Sequence, residues 1–206
     1  SATGIALLAP ASGEIATNEI AATGTGVSVG AVFTGSIHDN AIDAGTVGVS
    51  FDAAGAGATV EDNLVHGSAT GIASLAVADG RIARNDVSGG TTALDVAAAF
   101  AGAIESNDLY GAQTGLRYAA AAAVGANRIH DNDTGVVATV ADAASALGFV
   151  GGAEPNQIYS NTFGVDLAGR MQDQHVFANA IHGVIGSGIL GGDDLDHANV
   201  IETNET

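Results

Sequence analysis

One short pattern recurs along the whole chain and constrains its fold more than any other feature. Val124–Val136 (VGANRIHDNDTGV) shows it: an aliphatic residue, Asn three places later, an aliphatic residue two after the Asn, and a Gly–aliphatic pair at eight and nine. The Asn recurs at intervals of 22, 23, 22, 22, 20, 29 and 23 residues. Its positions are Asn18, Asn40, Asn63, Asn85, Asn107, Asn127, Asn156 and Asn179. A period of about 20 to 50 residues indicates a fold built from stacked repeats.

Within each repeat the hydrophobic pattern is that of β-strands. Apolar residues alternate over short runs, as at Leu116 and Tyr118, and Gly, Asn, Asp and Thr separate the runs. A period of two predicts strands, whereas a helix would need a period of 3.6. The fixed leucines of leucine-rich repeats and the six-residue period of left-handed β-helices are both absent. The sequence therefore predicts an all-β fold, a right-handed single-stranded parallel β-helix (β-solenoid) of about nine coils of roughly 22 residues.

The recurring Asn and Gly each have a physical reason to recur in such a stack. Coils stacked about 4.8 Å apart bring equal positions together, so their Asn side chains can form an internal hydrogen-bonded ladder. Asn also tolerates the left-handed backbone of a tight corner. The recurring Gly predicts a second corner that needs either positive φ or close approach of two backbones. All three recurring positions are interpreted as structural, with the aliphatic residues filling the core.

Two segments carry a resemblance to a known family. Asn127–Val136 (NRIHDNDTGV) and Asn156–Val165 (NQIYSNTFGV) resemble the parallel β-helix repeats of the pectate-lyase-like superfamily, in particular its carbohydrate-binding and sugar-hydrolase β-helices. The resemblance covers essentially the whole chain. It implies the β-helix fold but no single activity, because that superfamily includes lyases, hydrolases, epimerases, adhesins and inert surface stalks.

The domain organisation follows from the repeat. Residues 1–206 form a single β-helix domain, with an insertion within one coil at 140–155, where the Asn spacing widens. Ser1–Ala6 is identical to Ser68–Ala73 from the middle of a coil, and Asn199–Thr206 stops close to where the next Gly would fall. We therefore expect a segment of a longer array, with self-association or neighbouring coils packing end to end.

Charge and composition exclude several classes of partner. The net charge is −18, from 23 acidic residues against five Arg and no Lys. Nucleic acid and anionic membranes would be repelled by such a chain. The chain has no Cys and no apolar run long enough for membrane insertion. An acidic, Lys-free, Ala- and Gly-rich chain fits an extracellular or cell-surface location.

The strongest candidate for chemistry is an acidic column just before the Asn ladder. Asp39, Asp62 and Arg84 precede successive ladder residues, so they are expected to stack. Paired carboxylates are what a glycosidase needs, and clustered oxygens are what Ca²⁺ needs. The catalytic candidates are Asp39, Asp62 and Arg84, and the metal candidates are Asp39, Glu61, Asp62, Asp193, Asp194 and Asp196. A solvated acidic face with an Arg partner explains the same residues without catalysis or a metal, and is the favoured interpretation, with no cofactor.

Other outward columns are less informative. Asp86, Asp108 and Arg128 form a second charged column, open to the same three interpretations. The alignment places His66, His130 and His182 in one column but not in neighbouring coils, so they do not form a metal set. Exposed aromatic platforms are typical of glycan-binding β-helices. Here the three tyrosines are Tyr110, Tyr118 and Tyr159, and Tyr118 is expected to point inward.

Two functional hypotheses remain open. The first is a non-catalytic structural or interaction module, such as a stalk, fibre, sheath or adhesin segment, of a repeat-built prokaryotic surface protein. The second is a carbohydrate-active enzyme or polysaccharide-binding β-helix, of lyase or hydrolase type, that acts on a neutral or cationic glycan near Asp39 and Asp62.

Overall fold

The chain forms a parallel β-helix. The computed structural model describes residues 2–54, 58–140, 146–147, 154–191 and 198–205, and their regular structure is entirely β. Strands from successive coils pair in parallel to form three long sheets and one short sheet. The nine strands of the first sheet are joined by eight complete turns, slightly fewer than the nine or so coils predicted. In the described part of the chain, no helix is long and apolar enough to span a membrane.

Sheets I and III each contain nine strands. Sheet I consists of β1 (Thr3–Leu7), β4 (Thr25–Val29), β7 (Val47–Phe51), β10 (Thr70–Ser74), β13 (Thr92–Val96), β16 (Thr114–Tyr118), β19 (Thr134–Ala138), β22 (Phe163–Leu167) and β25 (His182–Gly186). Sheet III consists of β3 (Glu19–Ala22), β6 (Ala41–Ala44), β9 (Leu64–His66), β12 (Asp86–Ser88), β15 (Asp108–Tyr110), β18 (Arg128–His130), β21 (Asn156–Tyr159), β24 (Gln174–Phe177) and β27 (Val200–Glu202).

Sheets II and IV complete the coils. Sheet II consists of β2 (Glu14–Ala16), β5 (Ser36–His38), β8 (Thr59–Glu61), β11 (Arg81–Ala83), β14 (Phe100–Glu105) and β17 (Ala122–Gly125). Sheet IV consists of β20 (Ala146–Leu147), β23 (Arg170–Met171) and β26 (Ile189–Leu190). The predicted insertion at 140–155 includes β20, while residues 141–145 and 148–153 lie outside the described residues.

The predicted aliphatic columns fill the core. Each short strand directs one or two aliphatic side chains inward, and these pack on the equal residues of the coils above and below. Ile37, Val60 and Ile82 in sheet II, for example, are fully buried. Tyr118 points inward as expected, being 2% exposed, and its hydroxyl donates to the carbonyl of Ala122 at 3.1 Å. Burying apolar area contributes about 25 cal/mol per Å², so a long, narrow core still stabilises the stack strongly.

The predicted Asn ladder is present at the corner between sheets II and III. The Nδ2 group of Asn63 donates to Oδ1 of Asn85 at 2.9 Å and to the carbonyl of Ile37, in the preceding coil, at 2.9 Å. The backbone N–H of Asn63 also donates to Asn85 Oδ1, at 3.1 Å. This pattern of side-chain bonds links Asn18, Asn40, Asn63, Asn85, Asn107, Asn127 and Asn156.

The placement of Asn179 in this ladder is wrong. Asn156 donates instead to Oε1 of Gln174 at 2.9 Å. Asn179 belongs to a second ladder, at the corner between sheets III and I, where it accepts from Asn161 at 3.0 Å. That ladder consists of Asn132, Asn161, Asn179 and Asn204. The coil after Asn156 is short, and a Gln occupies the position where the repeat predicts Asn. The repeat pattern therefore matched Asn179, which lies at the next corner, in place of Gln174.

The conformation of the Asn corner differs from expectation, whereas the Gly corner matches one of its two predicted alternatives. The left-handed residue is not the ladder Asn but the one before it, as at Thr17 (φ 55°), Asp39 (φ 53°) and Asp62 (φ 56°). The recurring Gly of sheet I is needed for close approach rather than for positive φ. A Cβ on Gly26 would lie 2.6 Å from the carbonyl oxygen of Gly48 and 2.5 Å from Cγ2 of Ile42.

The ladder makes a direct prediction for stability. Replacing Asn85 by Ala removes its donors to Asn107 Oδ1, Val60 O and Ala83 O, and removes the acceptor for Asn63. We expect the free energy of unfolding to fall by about 2–4 kcal/mol, because several buried backbone groups lose partners. Chemical denaturation followed by circular dichroism measures it. Asn18→Ala, at a more exposed rung, is the control, and an equal loss in both variants would contradict the role of burial.

Candidate functional site

The catalytic candidates occupy one corner of the β-helix. Asp39, Asp62 and Arg84 are the left-handed residues that precede Asn40, Asn63 and Asn85, with φ of 53°, 56° and 54°. Stacking of the coils therefore brings these side chains to the same edge, between sheets II and III. Aspartate adopts this backbone conformation more readily than most residues, whereas arginine does not share that preference. The column is thus a product of corner geometry as well as of surface charge.

The side chains of this corner form a closed ion-pair network. Arg84 binds Asp62 with two hydrogen bonds, from Nε at 2.8 Å and from Nη2 at 2.7 Å, and Nη2 also donates to Glu61 at 2.6 Å. Arg81 donates to Glu61 at 3.0 Å and to Glu105 at 2.8 Å. Two guanidinium groups of one coil thus join three carboxylates of the two neighbouring coils.

Asp39 lies next to this network but has a different partner. Its Oδ2 is 2.8 Å from Nδ1 of His38, the preceding residue. The hydrogen bond to Asp39 raises the pKa of His38 above its usual value. Hydrogen bonds from Arg84 lower the pKa of Asp62. The same contacts raise the pKa of Arg84. The corner therefore holds its charged forms more firmly than isolated side chains would.

These contacts limit the chemistry that the corner can perform. A glycosidase needs one carboxyl group that can donate a proton and a second carboxylate that is free to attack or to activate water. Asp62 is held ionised by Arg84, and Arg84 is held protonated, so neither fits the role of proton donor or of base. The arrangement matches that of a structural ion-pair network.

The same contacts bear on the metal candidates. Glu61, Asp62 and Asp39 each already bind a basic side chain. Asp193, Asp194 and Asp196 lie outside the described residues. Within residues 2–54, 58–140, 146–147, 154–191 and 198–205, no group of three His, Cys, Asp or Glu side chains is arranged to hold a metal ion.

The second charged column lies on the outer face of sheet III. Asp108 Oδ1 is 2.7 Å from Nε2 of His130, and its Oδ2 is 3.2 Å from Nη1 of Arg128. The other ring nitrogen of His130 is 2.7 Å from Asp131. Asp86 hydrogen-bonds the hydroxyl of Tyr110 and raises the pKa of that phenol. As in the first column, most of the charged groups are already paired.

Four aromatic rings stack along the same face. The ring of His130 lies between those of Tyr110 and Tyr159, with centroids 5.3 Å and 4.9 Å away, and Phe177 continues the stack at 5.1 Å from Tyr159. The planes within each pair differ by only 5° to 14°. Each inner ring therefore presents its edge, not its face, to the outside. A sugar stacks on the face of a ring, so this aromatic stack does not form a glycan-binding platform.

The predicted histidine column is wrong at one position. His182 lies in sheet I, where it pairs with Phe163. Phe177 takes the expected place beside Tyr159. The cause is the same misalignment that misplaced Asn179. Phe177 lies three residues after Gln174, just as Tyr159 lies three residues after Asn156.

Two shallow depressions lie away from the candidate corner. One, of about 390 Å³, is lined by residues of the outer face of sheet III and of the preceding loop, including Arg128, Gln157 and His175. The other, of about 420 Å³, lies at the last described coil, against His182, Leu190 and Asn204. Neither is lined by Asp39, Asp62 or Arg84.

Comparison with known families adds to this geometry. Residues 1–179 match the family model of NosD, described as a periplasmic copper-binding protein. The chain belongs to the NosD family. A search of curated proteins found no match. The match agrees with the parallel β-helix fold that both the repeat and the structure indicate.

The described residues of this NosD-family chain do not fit a copper site. Copper prefers thiolate, thioether and imidazole ligands. The chain has no Cys and one Met, and Met171 is fully buried in the core. Both ring nitrogens of His130 lie beside carboxylates, and no three His, Cys, Asp or Glu side chains of the described residues are grouped to hold a metal ion. A buried Asp86 oxygen has no hydrogen-bond partner, but a carboxylate oxygen is a poor copper ligand compared with thiolate, thioether or imidazole.

The Arg84 network predicts a pH-dependent contribution to stability. Because the hydrogen bonds from Arg84 lower the pKa of Asp62 below its ordinary value of 3.8, the contribution is present above pH 3.8. It disappears as the pH falls through the lower folded-state pKa. We expect Arg84→Ala to lower the free energy of unfolding at pH 7 by less than about 1 kcal/mol, since the pair is solvent-exposed. The difference in free energy of unfolding between the variant and the wild type should disappear below the folded-state pKa of Asp62.

Thermal unfolding at a series of pH values between neutral and strongly acidic tests this prediction. Arg84→Lys is the matched variant, because it keeps the charge but cannot form the two parallel bonds to Asp62. Its melting temperature should lie between those of the wild type and Arg84→Ala at neutral pH. If the difference in melting temperature between the wild type and Arg84→Ala were as large in acid as at pH 7, the assigned contribution of the Arg84–Asp62 pair would be contradicted.

Proposed function

We propose that this chain is a non-catalytic structural and interaction module that works outside the cytoplasm, in the periplasm or at the cell surface. Membership of a family described as periplasmic supports the location. The acidic, Lys-free composition is compatible with that location. A role as a segment of a stalk, fibre, sheath or adhesin is the form of this proposal that the regular coils favour.

The observation that carries the proposal is that the charged side chains of the corner are paired with one another. An active site keeps reactive groups available, with pKa values suited to proton transfer. Here both oxygens of Asp62 bind Arg84, and Glu61 bridges Arg84 and Arg81. The rings of the aromatic stack likewise cover one another. Each cluster in the described part of the chain that resembles a site instead joins neighbouring coils.

The rival proposal is a glycan-active β-helix of the pectate-lyase-like type. It would require Asp39 and Asp62 to act as a pair of catalytic carboxylates, with a depression above them to hold the sugar. The contacts of Asp62 with Arg84 weigh against it. The distinction is experimental, since a bound glycan could displace Arg84.

Glycan turnover tests the two proposals against each other. Purified chain is incubated with neutral and cationic polysaccharides, and the release of reducing ends or unsaturated products is followed. We expect no turnover above that of the heat-denatured chain. Turnover that Asp62→Ala abolishes, and that the exposed-carboxylate control Asp166→Ala on sheet I retains, would overturn the non-catalytic proposal in favour of the enzyme.

Copper binding is the second test, because of the family description. Equilibrium dialysis of the folded chain against Cu(II), and against Cu(I) under reducing conditions, measures the bound metal. We expect less than one tightly bound copper ion per chain, because soft ligands are scarce and the described residues contain no group of three side chains arranged to hold a metal ion. Stoichiometric binding with a rise in melting temperature would contradict this, since a ligand of the folded state stabilises it.

A further inference from the structure

The connections between sheets I and II carry an unusual surface. We define the apolar edge as the described residues of these connections in the first six coils: 8–13, 30–35, 52–54, 58, 75–80, 97–99 and 119–121. Four large apolar side chains are exposed there: Leu8 by 81%, Val32 by 44%, Leu75 by 49% and Val77 by 63%. Most of the remaining positions are Ala or Gly. Surface turns ordinarily use Gly, Asn, Asp, Ser and Pro, so this composition needs an explanation.

Packing of the core does not require these exposed side chains. Phe33 and Ala78 on the same connections, and Phe100 at the start of β14, belong to the core and are only 2–3% exposed. Val32 and Val77 each precede one of these inward residues and point the other way. The edge therefore has an inner row that fills the core and an outer row that is exposed to solvent. Exposed apolar patches of this kind mark interaction sites.

The charge distribution indicates what can approach the edge. The whole chain carries 23 acidic residues, yet the apolar edge includes only Asp52 and Asp79. Asp52 accepts a hydrogen bond from Ser50 at 2.9 Å, and Asp79 is half-buried. Two copies with a net charge of −18 repel each other when their acidic faces meet. Contact along the apolar edge brings few of these acidic residues together.

We propose that two copies of this chain pack side by side along the apolar edge. Successive coils repeat about every 4.8 Å, so the outer row of one copy matches the spacing of the outer row of the other. Leu75 and Val77 lie in the fourth of the six coils, near the middle of the edge, and are its central contacts. This inference concerns a surface distant from the charged corner and goes beyond the proposed structural role.

The size of the edge sets the strength of the contact. Five steps between the first and sixth coils give a length of about 24 Å, and the outer row is only a few residues wide. Each copy would bury less than the roughly 800 Å² per partner of a standard interface. A weak dimer follows, with a Kd in the micromolar range or above. Salt should strengthen it, because ions screen the repulsion between the two acidic chains.

Sedimentation velocity of the full chain tests the proposal, over a concentration series at low and high ionic strength. We expect a monomer–dimer equilibrium that shifts toward the dimer at high salt. The double substitution Leu75→Asp and Val77→Asp should weaken Kd by more than about tenfold, because it places unpaired carboxylates in the contact. The control is Leu64→Asp, a change at another exposed leucine (42%), on sheet III, which should leave Kd unchanged.

A second measurement keeps the test decisive if the double variant folds poorly. The chain has no Cys, so a single introduced thiol reports on one position only. Mild oxidation should cross-link Val77→Cys into a disulfide dimer, whereas Leu64→Cys should stay mostly monomeric. A wild-type monomer at all concentrations and salts overturns the proposal, as does a dimer indifferent to the double substitution. Flotation of a monomeric wild type, but not of the double variant, with phosphatidylcholine vesicles would assign the edge to a lipid surface instead.

Discussion

The fold depends on one repeated interaction, the hydrogen bonding of a carboxamide at the corner between sheets II and III. A left-handed residue turns the chain there, and the turn leaves backbone carbonyls that point along the stack without strand partners. The Asn that follows donates to its own coil, to the preceding coil and to the next ladder residue, as Asn63 and Asn85 do. Unpaired buried carbonyls are costly, so this one side chain makes the tight corner stable. Where the coil is shorter, Gln174 provides the acceptor for Asn156.

The same corner explains why the surface resembles an active site. A solenoid places equal positions of successive coils beside one another, so charged residues before the ladder Asn are brought together whether or not they share a function. Asp62 and Arg84 then pair, and Glu61 joins Arg84 to Arg81. On sheet III the same stacking places His130 between two tyrosine rings. In a repeat protein, proximity of reactive side chains is weak evidence for catalysis, and the availability of those side chains is the better criterion.

Sequence reasoning succeeded where a feature depends on period and failed where it depends on side-chain reach. The ladder from Asn18 to Asn156 and the inward position of Tyr118 follow from spacing alone. Gln174 takes the place of Asn in a coil that is shortened between sheets I and III, and the repeat pattern therefore assigned Asn179 and His182 to the wrong positions. The bonds of Arg81 to carboxylates on both neighbouring coils could not be predicted, because a long flexible side chain can reach several partners. The ring stack required the corrected register before Phe177 could join it.

The segment from the ladder residue to the end of the sheet I strand has a nearly constant length, and this affects how such a chain can change. From Asn18 to Val29, and from Asn127 to Ala138, the same 11 residues separate the ladder from the end of the sheet I strand. In the first six coils, differences in coil length fall in the connection between sheets I and II, which is three residues at 119–121 and six at 30–35. Changes in length thus lie mostly on one side of the solenoid, although the last described coil has one extra residue between Asn179 and His182. That side can diversify during evolution without altering the register of the other two.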